Sequence, residues 1–192
     1  MKIGIDIDEV IKDTLNSVLN FYYERTGKRY SREDFKVYNW WEIWNMTKEE
    51  ALQIWYEFVR SELYNKIPMI EGSKEAIELL DKKHDIMFIT SRSDSLENET
   101  REWFEIHFPG KKFRISFTSY VEGGLTGKSD VCENNGIGIL IEDQAIHSKE
   151  CADKGIKVIL FDKPWNQGVE HENIIRVNGW SEALREIEKL QV

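Results

Sequence analysis

The residues that could do chemistry gather just beyond the apolar runs of this sequence. Lys2-Ile3-Gly4-Ile5 leads into Asp6, Asp8 and Glu9, and the run Asp85 to Ile89 leads into Thr90, Ser91 and Arg92. Ile137 to Ile141 leads into Glu142 and Asp143, Lys157 to Phe161 leads into Asp162 to Trp165, and Lys128 opens a helical pattern. Side chains two apart on a strand point the same way, so Asp6 and Asp8 are expected to project together. Two like charges that close need a cation, or one of them must hold a proton. Hard carboxylate oxygens favour Mg²⁺, which keeps several waters and takes few ligands from the protein. Asp143 is the obvious further ligand.

This set predicts phosphoryl chemistry. One carboxylate kept ionised by metal can attack phosphorus, while its neighbour, its pKa raised by the adjacent charge, donates a proton to the leaving alcohol. Thr90 supplies a hydroxyl for phosphoryl oxygens and Lys128 a cation for their charge. Plainer roles compete for several of these residues. Thr90 could cap a helix, Arg92 could pair with Glu97 or Asp94 or touch substrate with Ser91, and Lys111, Lys112 and Lys149 are further cations near strand ends or helix starts. No Ser/His/Asp or Cys/His arrangement is expected, since none of the four histidines follows a strand. Gly123 to Ser129 ends like a glycine-rich nucleotide loop, but only four residues separate Gly123 from Lys128 and the strand-to-helix context is missing.

The elements that must position these residues read as alternating strands and helices. Apolar runs at 85–90, 112–118, 137–141 and 157–161 alternate with helical patterns at 95–107, 128–135, 145–154 and 181–190, which indicates a parallel sheet covered on both faces. In such sheets ligands bind beyond the carboxyl ends of the strands. The pattern after Val10 predicts a helix closed by Gly27 as a left-handed cap. Thr47-Lys48-Glu49-Glu50 reads as a capping box opening a helix to about Leu63, and Ser73 as the N-cap of the next. Residues 28 to 66 hold Tyr30, Phe35, Tyr38, Trp40, Trp41, Trp44, Trp55, Tyr56, Phe58 and Tyr64. The expected architecture is a doubly wound, Rossmann-like α/β core over residues 1–12 and 68–192, with a helical cap over 13–67 inserted after the first strand. Trp40 and Trp44, one helical turn apart, should share the cap's core and leave Trp41 to stack on a substrate. Trp165 could line the rim or pack.

Composition limits the partners. In 192 residues the charge is 26 − 35 = −9 with no basic cluster, which argues against a nucleic-acid polymer or an anionic membrane. A small phosphorylated metabolite, its charge met locally, stays within reach, and nothing sets an oligomeric state. No apolar run nears the roughly 18 residues that span a bilayer, and Asp6 interrupts any signal-like start, so a soluble cytoplasmic protein is expected. Cys132 and Cys151 stand apart rather than in a metal-type pair and read as reduced core residues.

Asp6-Ile7-Asp8 after the first strand, Thr90 after the second, Lys128 at a helix start and Glu142-Asp143 after a later strand resemble, in order, the four motifs of the haloacid dehalogenase (HAD) superfamily of phosphohydrolases. Tyr64 to Gly72, Thr90-Ser91-Arg92 and Leu160 to Asn166 are similar to its 5′(3′)-deoxyribonucleotidase-like branch. The resemblance implies Asp6 as the nucleophile that forms an aspartyl-phosphate. It implies Asp8 as the general acid/base whose backbone carbonyl also binds Mg²⁺, Asp143 as a third protein ligand and Glu142 acting through water. The expected function is a Mg²⁺-dependent, nucleotidase-like phosphatase, with a nucleoside monophosphate among its candidate substrates. A sugar or other metabolite phosphatase, a dehalogenase of the same fold and a non-catalytic phospho-ligand-binding module are the alternatives. Glu9 departs from the glycine common at its position in the family.

Overall fold

Alternate residues of the strands face two different cores, and that alternation sets the layers. The computed structural model describes residues 1–37, 39–118 and 127–190. In chain order the elements are β1 (Lys2–Ile5), α1 (Thr14–Thr26), α2 (Trp40–Trp44), α3 (Lys48–Val59), α4 (Ser73–Lys83), β2 (Asp85–Thr90) and α5 (Glu97–His107). There follow β3 (Ile115–Phe117), α6 (Lys128–Asn135), β4 (Ile139–Glu142), α7 (Ala145–Asp153), β5 (Lys157–Phe161), β6 (Ile174–Val177) and α8 (Trp180–Lys189). The strands form one parallel sheet in the order β3-β2-β1-β4-β5-β6. Ile3, Ile5, Ile86, Phe88, Ile139, Ile141, Ile159 and Phe161 pack with residues of α4, α5 and α8. Met87, Ile89, Leu140, Val158 and Leu160 pack with Val131 and Cys132 of α6 and Cys151 and Ala152 of α7. The fold is therefore the expected doubly wound α/β sheet.

At Gly4, in the middle of the sheet, an added Cβ would lie 2.9 Å from Ile89 Cδ1 and 3.2 Å from both Ile137 Cγ2 and Leu140 Cδ1. The second face closes over the backbone there, and a side chain at that position would make the Ile89, Ile137 and Leu140 side chains shift.

Several boundaries differ from the sequence expectation for local reasons. The helix after Gly72 is capped by Gly72 itself, at φ 75°, while Ser73 lies inside the first turn and its hydroxyl reaches the Ile11 carbonyl at 3.4 Å. α3 starts at the Thr47/Glu50 capping box, but it ends at Val59, where Ser61 Oγ donates to the Phe58 carbonyl at 2.7 Å and closes the turn. α1 ends as expected, on Gly27 at φ 72°. β3 is shorter than 112–118, and β6 was hidden by Arg176 in its middle, whose guanidinium leaves the sheet for Asp162 and Asn166, each at 2.7 Å. Tyr38 and the segment Gly123 to Thr126 lie outside the described residues.

Residues 14–67 carry a separate apolar cluster in which Tyr22 stacks on Trp44 with ring centroids 4.3 Å apart. The chain leaves and rejoins the sheet at one place. Lys12 pairs antiparallel with Met69, Asp13 N–H donates to the Pro68 carbonyl at 3.0 Å, and Ile70 N–H donates to the Ile11 carbonyl at 2.9 Å. No helix among the described residues is long and apolar enough to cross a membrane.

Candidate active site

The carboxyl ends of β1, β2 and β4 are neighbours in the sheet, so the residues just past them meet. Asp6 continues β1 by donating its N–H to the Ile141 carbonyl at 2.9 Å. Lys128, the first residue of α6 and fully buried, places Nζ 2.8 Å from Asp6 Oδ1 and 2.7 Å from Glu142 Oε2. The other Glu142 oxygen accepts the N–H groups of Asp143 (3.1 Å) and Gln144 (3.0 Å). Asp143 is held twice more: Oδ2 accepts the indole N–H of Trp165 at 2.8 Å and its carbonyl accepts Asn166 Nδ2 at 2.7 Å. Trp165 thus supports the site rather than merely lining a rim.

Asp6, Glu142 and Asp143 can each bring an oxygen within 4.8 Å of the others, and all three are buried. Three carboxylates face the single ammonium of Lys128 there. Burial, with Glu142 and Asp8 adding and Lys128 opposing, pushes Asp6 up to about 7. Burial and the charges of Glu142 and Asp6 hold Asp143 well above the ordinary carboxylate range. An excess of buried hard oxygen donors fits a small divalent cation, which would favour their ionised forms.

Asp8 behaves in the opposite way from the expectation that a neighbouring charge would raise it. Burial acts to raise its pKa, but the charge and hydrogen bonds of Arg92, with a bond from Thr14 Oγ1, outweigh burial and hold it below its ordinary value. Arg92 donates to Asp8 from Nε (2.7 Å) and Nη2 (2.5 Å), and from Nη1 to Tyr64 OH (2.8 Å) and Thr100 Oγ1 (3.1 Å). Neither Asp94 nor Glu97 takes it; Glu97 pairs with Arg101 instead. The raised carboxyl of the pair is Asp6, because Asp8 alone has a guanidinium against it. The side chains of Asp6 and Asp8 share the site but are held by different cations.

A cavity of about 360 Å³ opens above these groups. Thr90, Ser91, Arg92 and Lys128 lie along it with Asp6, Asp8 and Asp143, whereas Lys111, Lys112 and Lys149 do not. Thr90 is buried and its Oγ1 accepts the Arg92 N–H at 3.2 Å. The far wall is apolar: Phe35, Trp40, Trp41, Leu52, Trp55 and Tyr56. Trp40 and Trp41 both line the cavity, so Trp40 is not confined to the cluster with Trp44, which is sealed inside it.

His147 joins the site against expectation. It lies in the first turn of α7, and its Nε2 sits 3.1 Å from Ser91 Oγ. Burial and nearby Lys128 pull its pKa down to about 4, so it is neutral at ordinary pH. No histidine follows a strand directly, yet His147 stands in the first turn of α7, which starts two residues past Asp143 at the same end of the sheet.

Residues 1–191 match the family described as "5′ nucleotidase, deoxy (Pyrimidine), cytosolic type C protein". The Bacillus subtilis protein named "Putative nucleotidase YqfW" is 30% identical over 188 residues, covering 96% of this chain and 92% of that one. A 5′(3′)-deoxyribonucleotidase of Bacillus subtilis is 27% identical over 188 residues, covering 96% and 97%. Among solved structures, the haloacid dehalogenase-like hydrolase SP0104 of Streptococcus pneumoniae has a TM-score of 0.69 at 13% identity, covering 97% of each chain. A HAD family hydrolase of Deinococcus radiodurans, solved with phosphate and sodium bound, has a TM-score of 0.67 at 11% identity, covering 98% of this chain and 95% of that one. The strand-end carboxylates, the doubly wound sheet and the match along the whole chain lead to one assignment: the protein belongs to the cytosolic type C 5′-nucleotidase family of HAD-fold phosphohydrolases.

Proposed function

We propose that this phosphohydrolase is a Mg²⁺-dependent phosphomonoesterase that cleaves a nucleoside monophosphate through an aspartyl-phosphate on Asp6, with residues 13–67 as a cap over the site. The observation that carries the reading is Asp6 itself, a buried carboxylate bound to Lys128 at 2.8 Å on the floor of a cavity whose opposite wall is aromatic. The phosphoryl group would lie between Asp6, Thr90 and Lys128, and the leaving nucleoside against Trp40, Trp41 and Trp55. That wall offers ring faces and few hydrogen-bond partners, which suits a base better than a sugar phosphate and disfavours the alternative substrate class.

Asp6 attacks phosphorus as the ester P–O bond breaks, and Asp8 hands a proton to the departing oxygen. Asp8 then takes a proton from the water that cleaves the acyl phosphate. An arriving phosphate adds negative charge beside Asp8 and offers Arg92 a second acceptor, and both effects return Asp8 toward the protonated form this step needs. Asp6, Asp143 and the Asp8 carbonyl would hold Mg²⁺, with Glu142 behind them. The ion supplies charge neutralisation at the phosphoryl oxygens. Lys128 meets the remaining negative charge, and Thr90 donates a hydroxyl.

The test is phosphate release from 5′- and 3′-nucleoside monophosphates with and without Mg²⁺. Release that requires the metal and is lost in Asp6→Asn is expected. Full activity in Asp6→Asn, or turnover of sugar phosphates alone, would remove the mechanism or the substrate class respectively.

A further inference from the structure

Glu9 occupies the left-handed region, at φ 61°, where a side chain is disfavoured and glycine is at ease. Its carboxylate nonetheless turns inward and is almost entirely buried. One oxygen accepts the Leu15 N–H at 2.7 Å, and the other pairs with Arg32 Nη1, with Lys163 Nζ at 4.0 Å. Arg32 belongs to a short helical turn, Arg32–Asp34, far from the strand-end motif in sequence. Its second arm donates to Asp13 at 2.7 Å, and its guanidinium lies 5.8 Å from the centre of the Trp165 ring. Phe35, next after that turn, enters the cavity wall and meets Trp44 edge-on at 6.3 Å.

Glu9 thus touches the far wall of the cavity through one residue, and Asp143 through two, since Trp165 holds Asp143 Oδ2. We propose that Glu9 is a positioning residue: through Arg32 it seats the segment carrying Phe35 over the reaction centre and steadies the Trp165 ring against which Asp143 is held. The inference rests on the proposed phosphatase reading only for its kinetic consequence. One carboxylate oxygen caps the first turn of α1 through the Leu15 N–H, while the other reaches beyond that helix to Arg32. An ion pair shielded from water holds geometry far better than an exposed one, because salt and hydration weaken it less. It also joins the two parts of the chain that enclose the cavity, so losing it loosens the wall without touching Asp6, Asp8 or Lys128.

The experiment compares Glu9→Gly, Arg32→Met and the double variant. Glycine suits the φ at position 9, so Glu9→Gly removes the carboxylate while easing the backbone. Amide hydrogen exchange of residues 31–36 in the free protein should quicken in both single variants, a readout that needs no turnover. For a nucleoside monophosphate each single variant should raise KM about tenfold, with a smaller effect on kcat, and the double variant should be no worse than either, because the two residues act as one unit. Unchanged exchange over 31–36 in Glu9→Gly, or KM effects that multiply in the double variant, overturns the proposal. If the wild-type chain released no phosphate from any ester, the phosphatase reading would fall, while the exchange data would still decide the role of Glu9.

Discussion

Arg92 grips both oxygens of Asp8, through Nε at 2.7 Å and Nη2 at 2.5 Å, and is itself braced by Tyr64 and Thr100. The pair fixes the ionised form of the proposed acid/base in the free site. Arg92→Met leaves a buried Asp8 without its counter-charge, so its pKa rises and the corresponding limb of kcat/KM against pH moves to higher pH. The protonated form that the first step needs is then more populated at neutral pH, so the expected fall in activity there, about tenfold, comes from losing the cation that an arriving phosphate would meet. A pH profile superimposable on that of the wild type would show that Arg92 does not govern Asp8.

Lys128 opposes the burial that lifts Asp6 to about 7. In Lys128→Met that opposition is gone, so metal-free Asp6 stays protonated further above neutrality and must release that proton to bind a divalent cation, and the phosphoryl oxygens lose their cation. A fall in kcat of about a thousandfold at neutral pH is expected, with partial recovery as pH is raised. Loss that stays constant across the pH range would point to phosphate binding alone.

Lys12 is buried with Nζ 3.8 Å from the Tyr64 ring centre, and Nζ meets no hydrogen-bond acceptor among the described residues. Burial, reinforced by Arg92, pulls its pKa from 10.5 down to about 5. Between those two values the unfolded chain binds a proton that the folded chain does not, so this residue makes stability rise with pH across that window and lowers it near neutrality. Lys12→Met, which keeps the length of the side chain, should raise Tm at neutral pH by about 3 °C or more and flatten its pH dependence. Thermal melts at several pH values check both; a lower Tm would mean that stacking on Tyr64 outweighs burial.

Trp165 reaches Asp143 through one indole N–H. Trp165→Phe keeps a ring under Arg32 and deletes that donor, so Asp143 is less firmly aimed. The Mg²⁺ concentration giving half-maximal activity should rise about tenfold to a hundredfold, as for other groups that orient a metal ligand from behind. An unchanged activation curve would confine Trp165 to packing.

Much of this was legible in the sequence because a buried parallel strand is a continuous apolar run and its end is marked by the first polar residues. Asp6, Thr90 and Asp143 are such residues, and Lys128 falls at the helix start that the pattern predicted. What stayed hidden depends on side chains meeting across the fold. The partner of Arg92 lies 84 positions away, against nearby acids that sequence alone favours. His147 reaches Ser91 across 56 positions, and the purpose of Glu9 depends on Arg32, 23 residues on. Local spacing carries no record of these encounters, and they decide which carboxyl of the Asp6/Asp8 pair is raised.

The paired backbone at Lys12 and Met69 has a consequence for how such a protein can diversify. Because the outgoing and returning chains already lie side by side at that point, the excursion between them begins and ends at nearly the same place. Lengthening, trimming or exchanging it would cost little loop-closure entropy and would not stretch the sheet. Selection could rewrite which leaving group is admitted while the strand-end carboxylates stay as they are, and residue 9 is the kind of position at which a newly fitted excursion would have to be fastened down.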